Sequence, residues 1–141
     1  MFDELLQIKT LTATPVTTTE AAMASETRDA TTGQACVDIS KCPQGGMSIV
    51  VIASADTGTS SDRTQTVRIY GCDTVDGTYV LLLTFPTLTY ADTTAKRLVM
   101  NLATQYKYLT NTITLANSNG TMSRFYQIYI GIGEMDKMTG G

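Results

Sequence analysis

Few residues in this chain have types and spacing that could do chemistry. There is no histidine. That removes Ser-His-Asp and Cys-His activation of a nucleophile, the usual zinc sites, and the ordinary general base near neutral pH. Lysine or a carboxylate pair is left to serve. Asp73 and Asp76 lie close together, but Asp76-Gly77 is a common turn signal, and neither carboxylate belongs to a calcium loop. Gly131-Ile132-Gly133 lacks the third glycine and the following helix of a dinucleotide site, so it reads as punctuation at a strand end. Lys41 beside Cys42 could lower the thiol pKa, because a neighbouring cation favours the thiolate; a surface turn explains the pair equally well. The 3 cysteines, Cys36, Cys42 and Cys72, are an odd set without a CxxC pair. Free thiols made in a reducing cytoplasm are expected, and a fold that needs no disulfide. The expectation is a protein that is not an enzyme and carries no catalytic residue, cofactor or metal.

Tyr70, Tyr79, Tyr90, Tyr106, Tyr108, Tyr126 and Tyr129 offer a different chemistry, stacking on the apolar faces of sugars. The same residues pack in cores and at subunit contacts. With no tryptophan in the chain, the packing reading is preferred.

A chain of 141 residues is the size of one domain. Charged residues make up 16%, against a usual ~25%, and the net charge is -3. No basic patch stands out, so nucleic acid is not an expected partner. Either part of this low-charge surface is covered in the working state, or it is a neutral surface rich in hydroxyls; composition does not separate the two. Threonine leads the composition with 26 copies. Its β-branch favours strands, and its hydroxyl keeps a solvent face wet without charge. The longest apolar runs are strand-length, so no membrane span is expected. The first residues show no basic region followed by an apolar run, so no secretory signal is expected either.

Two-residue alternation dominates the body. In 122–132, Met122, Tyr126, Ile128, Ile130 and Ile132 share one parity and form a strongly apolar face. Residues 106–115 form a second run, and Asn117-Ser118-Asn119-Gly120 between them can reverse the chain. The pair predicts a long β-hairpin. Earlier strands are expected at 36–39, 47–54 and 65–72, the middle one buried on both faces. Tyr79, Leu81, Leu83 and Phe85 should line one face of the next strand, which Pro86 stops; 96–102 is a further strand. About seven or eight strands over roughly 100 residues predict an all-β fold, an antiparallel β-sandwich. A jelly roll is the first choice and an immunoglobulin-like sandwich the second, with the strand order unreadable.

Ahead of this body (34–141) lies a segment of different character, an N-terminal arm over 1–33. Phe2, Leu5, Leu6 and Ile8 make a short amphipathic segment too brief to hold a helix alone. A Thr/Ala-rich extended stretch with Pro15 follows. Phe2, Leu5, Leu6 and Ile8 are the candidate partner-binding residues, expected to dock on a neighbouring subunit or a larger partner. Deleting the first 30 or so residues is expected to leave the melting temperature of the body nearly unchanged.

Three phrases carry a family likeness: Met1-Phe2-Asp3-Glu4-Leu5-Leu6 at the start, Val67-Arg68-Ile69-Tyr70-Gly71-Cys72-Asp73 followed by Asp76-Gly77-Thr78-Tyr79, and Gln105-Tyr106-Lys107-Tyr108-Leu109 before the last strand. With the Thr-rich arm and compact β-body, the chain resembles the small capsid cement, or decoration, proteins of tailed bacteriophages. The phrases are not mechanistic motifs. The resemblance implies a jelly-roll-like protein, usually a homotrimer, made in the host bacterial cytoplasm. It would sit on an icosahedral head as part of the virion and bridge neighbouring copies of the major capsid protein. The alternative is a carbohydrate- or receptor-binding β-sandwich module of a phage tail structure.

Overall fold

The computed structural model describes residues 7–9, 15–17, 36–40, 42, 46–74 and 77–132. Those residues form strands and their connections, with no helix among them. The strands are β1 (Gln7–Lys9), β2 (Val37–Asp38), β3 (Met47–Ala53), β4 (Thr64–Cys72), β5 (Val80–Thr84), β6 (Leu88–Thr89), β7 (Lys96–Leu102), β8 (Tyr108–Ala116) and β9 (Tyr126–Ile132). They make a β-sandwich. One sheet has the order β1-β9-β3-β7, the other β2-β8-β4-β5 with β6 also on β4. Every pairing is antiparallel.

The pairs nest. β1 meets β9, β2 meets β8, β3 meets β7, and β4 meets β5. The chain is thus one long antiparallel ribbon, folded over so that successive pairs alternate between sheets. The contacts of β9 with β3 and of β8 with β4 complete each sheet. Alternation supplies the core. Met47, Ile49 and Val51 of β3 and Ile128 and Ile130 of β9 face Val67, Ile69, Leu109 and Ile113 of the other sheet in one cluster. Val50 and Ser48, on the opposite face of β3, are also fully buried, as expected for a central strand.

The expected hairpin of 106–115 with 122–132 does not form. β8 and β9 lie in opposite sheets. Asn117 and Gly120 do adopt positive φ, 67° and 75°, so the chain turns where those residue types allow. The turn crosses between sheets, because two strongly apolar faces satisfy each other across a core rather than side by side. The crossing segment zips onto the connection between β3 and β4. Thr57 N–H donates to Ser123 C=O at 3.1 Å and Thr59 N–H to Thr121 C=O at 2.7 Å. The Asp62 carboxylate accepts from the Asn119 backbone at 3.0 Å and from its side-chain amide at 3.1 Å. A Cβ on Gly58 would sit 1.9 Å from Thr121 O, so this approach of two backbones requires glycine.

The single apolar face expected on β5 is also broken. Register slips between Ile69↔Leu83 and Tyr70↔Leu81, leaving Leu82 without a partner in a β-bulge. The bulge reverses the parity beyond it. Phe85 is buried and Leu83 packs against the core, whereas Leu81 is 48% exposed.

A boundary at residue 33 set the whole N-terminal segment apart from the body. Its described residues lie on the body instead. β1 is an edge strand of the four-stranded sheet, and Ile8, expected on a helical stripe, packs from that strand against the core. Val16 is 5% exposed within the core cluster. Its N–H donates to Arg124 C=O at 2.7 Å, and its C=O accepts the Gln65 amide at 3.1 Å. The physical reason is that β9 needs a partner on its outer edge and isolated apolar side chains gain by burial wherever the chain reaches them.

Two buried polar groups tie the sandwich together. Tyr126 O–H donates to Gln65 Oε1 at 2.6 Å, linking the two sheets through the core. Arg124 is fully buried. Its guanidinium donates to the carbonyls of Ser54 at 2.7 Å, Thr94 at 3.3 Å and Thr89 at 3.4 Å, and also to that of Asp92. The loop that supplies three of those carbonyls is shaped by Asp92. The backbone N–H of Thr89, then its hydroxyl, then Lys96 hold the Asp92 carboxyl below its usual range. A depressed carboxyl pKa stabilises the fold above the ordinary carboxyl range, and that help is lost as pH falls through the depressed value.

Candidate interaction surface

The residues singled out for chemistry do not converge. Asp73 is exposed in the turn after β4, while Asp76, Lys41 and Gly133 lie outside the described residues. Gly131 sits within β9. Among the described residues no group of histidine, cysteine, aspartate or glutamate side chains could hold a metal ion. No described helix is long and apolar enough to cross a membrane. The tyrosines do not share a platform. Tyr126 is in the core, Tyr106 packs on Gly71, and Tyr129 stands beside Val50 on the outer face of the four-stranded sheet. Tyr70 and Tyr108 lie on the outer face of the other sheet, and Tyr90 is 43% exposed after β6.

All three cysteines are free, Cys72 buried and Cys36 and Cys42 half-buried. The thiol at Cys42 behaves opposite to the activated form that a neighbouring lysine suggested. Burial, and then the Asp38 carboxylate, push its pKa up from 9.0. Iodoacetamide labelling of Cys42 against pH should therefore rise at more alkaline pH than that of a cysteine in a short peptide. A midpoint on the acid side would show a thiolate-favouring environment after all.

Of the candidate partner-binding residues, Phe2, Leu5 and Leu6 lie outside the described residues, and Ile8 rests on the chain's own core. A surface that the residue patterns did not forecast lies at the opposite side of the sandwich. β5 and β7 are the end strands of their respective sheets, so each has a backbone edge without a strand partner. Between them runs an apolar groove of about 570 Å³, walled by residues 84–87 and 97–100. On one wall Phe85 N–H still bonds to Val67 C=O at 2.9 Å, and Thr87 shares a hydroxyl hydrogen bond of 2.8 Å with Thr66. Pro86 between them has no N–H, which blunts that edge. β7 has no proline on the other wall, and its Leu98 and Met100 are only partly buried.

The exposed large apolar side chains among the described residues, Val80, Leu81 and Tyr90, belong to the β5–β6 edge or directly follow it. Charge at the groove is positive. Lys96 pairs with Asp92 at 3.6 Å, while Arg97 is exposed and makes no ion pair among the described residues. An apolar groove beside an unpaired guanidinium suits an extended partner that is apolar and acidic.

The residue patterns carried one overlooked signal. Arg124 shares the parity of Met122 and Tyr126, and Gln65 that of Val67 and Ile69, so both are polar groups on otherwise apolar faces. Such positions mark buried hydrogen-bond centres. No protein-family model matches the chain, and no curated protein sequence is significantly similar to it.

Proposed function

We propose that this chain is a structural virion protein. In this reading it is a capsid cement, or decoration, protein that binds the outer surface of an icosahedral phage head and bridges neighbouring major capsid proteins. It acts through area rather than through catalysis. The observation that carries the reading is the open apolar edge between β5 and β7 on a sandwich of low charge. Such an edge is normally covered in natural β-proteins, and here a partner would cover it. The nested order β1-β9-β3-β7 over β2-β8-β4-β5 is the winding of a jelly roll, the fold that the family resemblance implies. A shell multiplies modest contacts through many copies, so no single interface has to be strong.

Purified protein mixed with heads assembled from the major capsid protein should co-sediment and saturate, and should bind no glycan on an array. Selective glycan binding without head binding would favour the tail-module alternative. Light scattering should show a homotrimer at high concentration. A monomer at every concentration would leave assembly on the shell as the route to any oligomer.

A further inference from the structure

We infer that the segment ahead of β1 fills the β5/β7 groove of a second copy of this chain. The groove calls for apolar side chains accompanied by negative charge. Phe2-Asp3-Glu4-Leu5-Leu6 supplies large apolar groups, two carboxylates and no cation. Carboxylates beside Arg97 would satisfy a guanidinium that has no ion-pair partner among the described residues.

Strand register shows why the groove belongs to another copy. Gln7 lies opposite Tyr129, Tyr129 opposite Val50, and Val50 opposite Val99 in the groove wall. Three inter-strand steps place Gln7 and Val99 ~14 Å apart. Leu6 and Leu5 are one and two residues from Gln7, so an extended chain carries them at most ~7 Å from it. Neither can reach the groove of its own sandwich. Donor edge and acceptor edge are different surfaces, β1 on one copy and β5 with β7 on the next. The contact is therefore head-to-tail, which closes into a ring or continues as a filament.

The proposal concerns contacts between copies in solution, without capsids, so its failure and that of the head-binding reading are separable. Full-length chain carrying a photo-crosslinking phenylalanine at position 5 is mixed with isotope-labelled full-length chain and irradiated. Cross-links should fall on residues 84–87 or 97–100 and should join labelled to unlabelled copies. Cross-links within one copy, or onto other strands, overturn the inference. In sedimentation velocity, Arg97→Glu should weaken self-association by about tenfold without changing the melting temperature, since the side chain is exposed. Adding Asp3→Lys and Glu4→Lys to that variant should recover most of the loss. Unchanged association of Arg97→Glu, no recovery in the combined variant, or a wild-type chain that is monomeric at every concentration would each show that the groove is not the acceptor.

Discussion

Replacing Arg124 with methionine should destabilise the fold by about 3–5 kcal/mol, a loss of roughly 10–20 °C in melting temperature. Methionine keeps most of the apolar stem and fills similar volume, so the effect isolates the guanidinium. Removing it strands the carbonyls of Ser54, Thr89, Asp92 and Thr94, and each buried acceptor without a donor costs about 1–3 kcal/mol, less where water can enter. Lysine should recover only part of the loss. Its ammonium is a point donor and does not span the fork that links the end of β3 to the loop ahead of β7. Guanidinium chloride melts of the three proteins decide the matter. An Arg124→Met midpoint equal to wild type would mean that these carbonyls find other donors, and that the arginine does not hold the loop.

Removing residues 1–17 should lower stability by about 3–6 kcal/mol, whereas removing 1–6 should change it by less than about 0.5 kcal/mol. The longer deletion takes away Val16, which is 5% exposed, and the packing of Ile8. It also strips the outer edge of β9 and leaves the buried Gln65 amide without the Val16 carbonyl. The shorter deletion removes none of these contacts, yet it should abolish self-association through the β5/β7 groove. Equal denaturation midpoints for the two truncations would restore the picture of one detachable arm over 1–33. A large loss from 1–6 alone would place Phe2, Leu5 or Leu6 in the sandwich of their own copy.

Most of the strand positions were legible because parity is local. β3 reads as buried on both faces, and Val67 and Ile69 separate from Arg68 and Tyr70, from residue order alone. Positive φ at Asn117 and Gly120 was equally legible, since few other residue types accept it at low strain. The chemistry of the chain was bounded by its missing histidine.

Which strand pairs with which was decided only in three dimensions. Parity states that 108–116 and 126–132 each have an apolar face; it does not state whether those faces lie side by side in one sheet or oppose each other across a core. Burial chose the second, because facing sheets remove both from water at once. The same holds for the bulge at Leu82, which depends on register against β4, and for β1, which has too few residues to declare itself before β9 pairs with it. Arg124 was visible as a charge on an apolar face, but its four carbonyl partners come from segments 30 to 70 positions away and are assembled by the fold. The β5/β7 groove arises the same way. Each strand carries ordinary residues, and the open edge exists because the nested winding ends one sheet at β5 and the other at β7.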